Sequence, residues 1–538
     1  MPATSSPTQA TSRAARLIRI PDTPLLTLGA LAAALGLAII EANQAASVSF
    51  DAARYLELAR AFHLRGLHGA LDWYSGPIFP VIVGTVYPMV GSLEWTGRLV
   101  GLAFAALFVL SVHALAAELF SRRIGTVAAA LVGTHAALIR HAVTAEIDVP
   151  YLGLLSFALL CAYRSYASTV RRYQLAWAIA AGVSFALAYL TRPEGLIVCI
   201  VLSLGLVGLY RGTARGLRLG LPVLAVAVAL SLPYLCWLRA ELGRWTLSGK
   251  DRTLSLKFLP DKKHPERALK AGVLGALWQN PDDLIDWLPT HLRRTLTELP
   301  KANGYLILPL AIVGLVRLRR TGVLKRNRFL RSALLACLLP VLGFALLYPY
   351  ERYFMQALPI TGPLAAIGLV SLQQRLAHLR TRRIGSALVI VVLATNLTIA
   401  AVQAREPIES SRTYKRQIGE RIRRLVGPGR RVLAFTIEAF YAEADRVKRW
   451  DPFEGIVPGH GFGQPFTYES MLEFVRKHRV EVLVVDHHFR KDCPDFMEKV
   501  RPEHFRLLFQ VEHKGEPIYV YRTMPTLLEP PGTHTRQN

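Results

Sequence analysis

The stretch EWTGRLVGLAFAALFVLSVHALAAELFSRRIG, Glu94–Gly125, decides the architecture. Its core, Trp95–Phe120, is an apolar run with few charges, long enough as a helix to cross about 30 Å of hydrocarbon. The pair Arg122/Arg123 ends it. Ten further runs of this type flank it: Leu25–Ile40, Ile124–Ile139, Val149–Tyr163, Leu175–Leu190, Gly195–Tyr210, Leu219–Leu238, Tyr305–Val316, Ala333–Tyr348, Met355–Leu372 and Ile384–Ala401. The expectation is an α-helical polytopic membrane protein with about 11 transmembrane helices, some of them short.

The 538 residues are 52% hydrophobic and 19% charged, and 64 Lys and Arg against 38 Asp and Glu leave a net charge of +26. Such a charge first suggests a nucleic-acid partner, but its distribution argues for none. The basic residues sit in short loops between the apolar runs: Arg122/Arg123, Arg164 with Arg171/Arg172, Arg211/Arg215/Arg218, Arg317 to Arg331, and Arg375 to Arg383. With residues 1–24 as a cytoplasmic tail bearing Arg13, Arg16 and Arg19, eleven crossings place every one of these loops inside. That is the positive-inside pattern. The expected location is therefore the inner (plasma) membrane, with the N-terminus cytoplasmic and the C-terminal part outside. A cleaved signal peptide is the other reading of the N-terminus. Five cysteines show no metal spacing or disulfide framework.

Two large exterior loops interrupt the membrane domain of 25–402, at 45–94 and 239–304. In the first, SFDAARYLELARAF reads as an amphipathic helix starting near Asp51, and Gly76–Gly91 as an interfacial or re-entrant piece broken by three prolines. In the second, LWQNPDDLIDWLPTHL, with Trp278 and Trp287, reads as an interfacial amphipathic helix. From 403 to 538 the composition becomes that of a soluble domain. TYKRQIGERIRRLV and SMLEFVRKHR read as helices, RVLAFT and EVLVVD as strands, and LLFQVEHKGEPIYVYR as a hairpin turning at Lys514-Gly515. This predicts a small extracytoplasmic α/β domain. No internal repeat and no GxGxxG fingerprint is present.

Charged groups at the membrane edge are functional candidates, and four places qualify. Asp51, with Arg54 and Tyr55 on the same helical face, offers a general base or, alternatively, a helix cap. Glu146 and Asp148 lie in a short exterior turn. They either hold a metal or an acceptor, or complement a helix dipole. Arg192 suits a phosphate, or else pairs with Glu194. Glu351 and Arg352 stand among three tyrosines that an interfacial aromatic belt explains, although a belt does not explain the charged pair.

The order of these pieces resembles the C-type membrane glycosyltransferases, in particular the family 39-like branch related to protein O-mannosyltransferases and the lipid A aminoarabinose transferase. The stretches that carry the resemblance are SFDAARYLELARAFHLRGL, Glu94–Gly125, AEIDVPYLGLL, LAYLTRPEGLI with GLYRG, and ERYFMQALPI. The resemblance implies a hexosyl- or pentosyltransferase that takes a sugar from a polyprenyl-phosphate donor and inverts the anomeric centre on the exterior face. It implies Asp51 as catalytic base and Asp148, with Glu146 beside it, as the second acidic position. Arg54, Tyr55, Arg192 and Arg352, with Glu351 adjacent, fall on the substrate side. No cofactor or metal ligand set is assigned; a divalent cation, Mg or Mn, is compatible. The acceptor is open among glycolipid, polysaccharide and protein, and membrane lipid is the surrounding partner. Two departures stand out: Ala52 follows the Asp where the family often has Glu, and Tyr74-Ser75-Gly76-Pro77 replaces the Lys-Pro-Pro of the aminoarabinose branch. The second argues against aminoarabinose as the sugar. A transporter or flippase of a lipid-linked sugar is the alternative; it would use the same exterior arginines without needing a base.

Overall fold

A computed structural model describes residues 23–209, 214–250, 275, 281–379, 382–434, 436–447 and 467–528. The N-terminal tail with Arg13, Arg16 and Arg19, the loop arginine Arg211, and Trp278 with most of its loop lie outside the described residues. The membrane domain runs through α1 (Thr23–Gln44), α2 (Phe50–Arg65), α3 (Ile78–Val90), α4 (Leu93–Leu119), α5 (Arg122–Gly133), α6 (Ala136–Ala142), α7 (Asp148–Ala167), α8 (Arg171–Tyr189), α9 (Glu194–Leu209) and α10 (Ala214–Leu242). It continues with α11 (Pro281–Asn303), α12 (Ile307–Arg320), α13 (Arg328–Leu347), the single turn α14 (Glu351–Phe354), α15 (Leu358–Leu379) and α16 (Arg382–Gln403).

Every expected span falls on a helix, with one correction. Ile124–Ile139 is not one helix. It breaks at Thr134-His135, where His135 Nδ1 accepts the Leu138 amide at 3.3 Å and so starts α6. Among the described residues five helices are long and apolar enough to cross a membrane alone, and α11 with α12 forms a further pair bent by 87°. The bend falls at Gly304, whose φ of +77° a side chain would resist. The outer surface is apolar, with Leu28, Leu110 and Leu342 each more than 60% exposed. Only lipid makes such a surface stable. The chain is a multi-pass membrane protein.

The basic loops and the acidic turns sit at opposite ends of the bundle. At one end Arg164 bonds Glu118 at 2.7 Å and Arg123 bonds Gln373 at 2.6 Å. Helix α7 begins with Asp148 and reaches Arg164 sixteen residues on, about 24 Å away at 1.5 Å per residue. The broken apolar piece of the first loop is the helix α3, laid against α2. A Cβ on Gly84 would meet the Ala59 carbonyl oxygen at 2.5 Å, and Tyr55 meets Phe79 edge-on at 6.0 Å.

Beyond α16 the chain forms α17 (Thr413–Val426), β1 (Arg431–Leu433), α18 (Thr436–Tyr441), β2 (Asp445–Val447), α19 (Tyr468–Lys477), β3 (Val482–Val485), β4 (Phe505–His513) and β5 (Glu516–Thr523). The sheet order is β2-β1-β3-β5-β4. Strand β1 pairs in parallel with β2 and β3, while β5 is antiparallel to β3 and β4. The closing hairpin turns at Lys514-Gly515, with φ of +53° and +77°, the type I′ geometry that suits twisted strands. Strand β2, three residues carrying two charges, gave no sequence signal.

Helices α12 and α15 approach most closely where two glycines face each other. A Cβ on Gly314 would lie 1.9 Å from the Leu364 carbonyl oxygen, and one on Gly368 2.0 Å from that of Leu310. Small residues permit such contact between membrane helices. Gly368→Leu is expected to cost about 1–3 kcal/mol through overpacking, read as a lower melting temperature in detergent. An unchanged melting temperature would mean that the two helices are free to part.

Candidate active site

Helix α2 starts at a serine. Ser49 Oγ accepts the Ala52 amide at 3.0 Å and caps α2, so Asp51 is the second helical residue and not the cap. Released from that task, Asp51 turns to Arg352, whose Nη1 donates to Asp51 Oδ2 at 2.6 Å. The same Nη1 lies 3.7 Å from Glu146 Oε2. The Ser49 hydroxyl donates in turn to Glu146 Oε1. One guanidinium, carried by the turn before α15, thus ties the start of α2 to the turn before α7.

Asp148 takes a hydrogen bond from Arg192 Nη1. Arg192 spends its remaining donors on Glu194, through Nη2 at 3.1 Å and Nε at 3.3 Å. The Arg192–Glu194 pair weighed from the sequence therefore exists, with Asp148 added to it. The two ion pairs differ in access. The Arg192 and Asp148 side chains are each 4% exposed, whereas Arg352 is 30% and Asp51 20% exposed. Arg192 is not an open cation at the mouth. It is the buried partner of Asp148, and Arg352 is the guanidinium that water reaches. The Tyr353 ring lies between the two, 4.8 Å from Arg192 Cζ and 5.2 Å from Arg352 Cζ.

Arg54 is on α2 as expected but binds Asp72, through Nη2 at 2.9 and 2.7 Å to the two carboxylate oxygens. Asp72 also accepts the Tyr74 and Ser75 amides at 2.7 and 3.1 Å, which shapes the loop entering α3. Tyr55 is buried beside the cluster. Burial, reinforced by the charge of Asp51, keeps its hydroxyl well above the ordinary tyrosine range and hence protonated. Glu351 opens α14 without joining the ion pairs among the described residues; its charge is felt at His141.

Three groups in the site carried no sequence signal. Lys250 lies with its ammonium 5.1 Å over the Tyr74 ring, within the fields of Arg192, Glu194 and Asp51. Burial, then Arg192, lower its pKa. It makes no ion pair among the described residues. His141 stands with Glu146 and Asp148, their ligand atoms all within 4.8 Å of one another, and its Nδ1 is buried without a hydrogen-bond partner. Asp72 is the third. A local signal existed only for Ser49, a serine just ahead of an amphipathic run. Lys250 and Asp72 reach the site by long-range folding that spacing does not encode.

Residues 75–237 match the family model of dolichyl-phosphate-mannose-protein mannosyltransferases. No curated protein matches the chain. The solved structure of ArnT from Cupriavidus metallidurans in the apo state is similar over 94% of this chain and 98% of its own, with 13% identity and a TM-score of 0.60. The chain has the C-type glycosyltransferase fold. ArnT bound to undecaprenyl phosphate gives 14% identity over 94% of this chain and 99% of its own, with a TM-score of 0.59. The Archaeoglobus fulgidus oligosaccharyltransferase in complex with Zn and sulfate gives 14% identity over 91% of this chain and 73% of its own, with a TM-score of 0.55.

Glu146 has a measurable signature. Burial raises its pKa from 4.5 to about 8, against partial relief from Arg352. A carboxylate raised on folding binds its proton more tightly in the folded state, so its contribution to stability is present below pH 4.5 and lost as pH rises through about 8. In chelator-treated buffer the melting temperature should fall across that window, and Glu146→Gln should flatten the decline. An equal decline in both proteins would show that Glu146 is not the titrating group.

Proposed function

We propose that this protein transfers a sugar from a polyprenyl-phosphate donor to an acceptor on the extracytoplasmic face, with inversion and with Asp51 as general base. The observation that carries this reading is the water-accessible Asp51–Arg352 pair, backed by the buried pair Asp148–Arg192. A base and a cation that face the same opening are what a displacement of phosphate needs. The family match over 75–237 and the polyprenyl phosphate in the ArnT complex point to the same donor class.

The roles follow from access and pairing. The acceptor X–H attacks the anomeric carbon while its proton passes to Asp51. The carbon–oxygen bond to phosphate breaks, and polyprenyl phosphate leaves with the electron pair. Arg352 exchanges Asp51 for the phosphate oxygens, and Lys250, which makes no ion pair among the described residues, adds the second positive charge. Arg192 holds Asp148 in place instead of gripping phosphate itself. Asp72 orients Arg54, whose guanidinium stacks 4.7 Å over Tyr74, as one wall of the donor site. Glu351 keeps a place at the rim.

His141, Glu146 and Asp148 would hold a divalent cation. The orphaned His141 Nδ1 fits that use, and an imidazole with two carboxylates suits Mn or Zn better than Mg. Such an ion would supply positive charge near the leaving phosphate. The domain assignment follows the same orientation: 25–402 carries the site, and 403–538 stands outside beside it.

The test uses purified protein and a radiolabelled polyprenyl-phosphate sugar, scored for sugar release. Asp51→Asn should lower kcat by about 100-fold or more without raising the donor KM. Lys250→Met should raise that KM by about 10-fold, the effect of one charged hydrogen bond. Turnover that survives Asp51→Asn contradicts the base assignment. Lipid movement across vesicles without turnover would make the protein a flippase. Loss of turnover in chelator would assign a role to a cation at His141.

A further inference from the structure

The loop 45–49, which launches α2 and its Asp51, is held largely by groups distant in sequence. Ala46 N–H donates to the Ile408 carbonyl at 3.0 Å. Val48 N–H donates to the Tyr441 hydroxyl oxygen, also at 3.0 Å. Just ahead of the loop, Arg98 Nη1 donates to the Ala42 carbonyl at 2.6 Å and Arg98 pairs with Glu94. Two of these holds, Ile408 and Tyr441, come from the segment that follows the last membrane helix.

Tyr441 is the last residue of α18, and that helix docks on α2. Ile437, Phe440 and Tyr441 are buried in one cluster with Val48, Ala52, Tyr55 and Leu56. Arg60 of α2 lies 5.6 Å over the Phe440 ring. Glu94 Oε2 sits 3.5 Å from the Tyr441 hydroxyl and 4.0 Å from Arg416, whose guanidinium stacks 5.0 Å over the Tyr441 ring. The helix is rigid behind this contact. It leaves β1 directly, Lys415 binds its Glu438 at 3.0 Å, and a Cβ on Gly419 would meet the Glu438 carbonyl oxygen at 2.5 Å. Burial pushes the Tyr441 hydroxyl up to about 12, so it remains a neutral phenol able to accept from Val48 and donate to Glu94.

We propose that Tyr441 is a positioning residue, and that through its bond to Val48 N–H the exterior α/β domain sets the place of Ser49 and Asp51. The Val48 amide lies three residues before Asp51 and one before the cap, so its anchor fixes where the helix begins. The domain then acts on the chemical step and not on donor binding, because Arg352 and Lys250 are carried by other elements. The catalytic half of this inference rests on the reading of Asp51 as base; the structural half does not.

Tyr441→Phe removes only the hydroxyl and keeps the ring packed. Two readouts keep the halves apart. Amide exchange at 48–52 should quicken about 10-fold, as expected when one hydrogen bond of ordinary net worth is lost, with little change in melting temperature. In the sugar-release assay kcat should fall about 10-fold, since small misplacements of a reacting group cost that much, while the donor KM stays within about 2-fold. Exchange and kcat both unchanged would overturn the proposal. Faster exchange with kcat unchanged would overturn its catalytic half, as would a rise in KM alone. If wild type turns over no donor, exchange still decides the positioning while the function proposed above fails by itself.

Discussion

Carboxylates at the rim of a membrane can stand together only around a shared cation. Asp51, Glu146 and Asp148 come from two turns that are 97 residues apart between Ser49 and Glu146, and Arg352 feels all three. Two guanidiniums face four carboxylates once Glu194 is counted, and the deficit falls on Glu146, which keeps its proton to about pH 8. Burial presses in that direction first, and the like charges of Asp148 and Asp51 add to it. The cluster therefore has graded access: a sealed pair at Asp148–Arg192, a buried acid at Glu146, and an open pair at Asp51–Arg352. The open pair is the part that can exchange partners.

The bundle exists to bring these turns to one end. Apolar helices joined by basic loops at the opposite end build it, and glycines at the close crossings let the helices meet backbone to backbone. The segment between α1 and α4 adds α2 and α3 at that end, stapled by Tyr55 on Phe79 and by Gly84 under Ala59. The C-terminal domain packs against α2 through α18. Asp51, Glu146 and Asp148 are each held by a partner from another segment, and so the site forms only when these segments come together.

Much of this was legible in the sequence, for a physical reason. Crossing a bilayer requires long apolar runs and sorts lysine and arginine between loops, and both marks are local. They placed the helices, their order and the face that carries Asp51, Glu146, Asp148, Arg192 and Arg352. Spacing along one helix did not reveal pairing between elements. Arg54 shares a helix with Asp51 yet belongs to Asp72, and Arg192 at its Thr-Arg-Pro-Glu turn allowed either a phosphate or Glu194 as partner, while its bond to Asp148 was not visible. The break at His135 was hidden because an apolar run reads the same whether continuous or interrupted. Lys250, His141 and Tyr441 join the site through contacts that only the folded chain defines.

In the proposed reaction Arg352 is shared between Asp51 and an incoming phosphate. Calorimetry of polyprenyl phosphate binding in detergent reads that exchange. Asp51→Asn should free Arg352 and tighten binding by about 10-fold, the worth of one charge-assisted contact, and the gain should disappear in Asp51→Asn combined with Arg352→Gln. Affinity that is unchanged or weaker in Asp51→Asn would contradict the exchange.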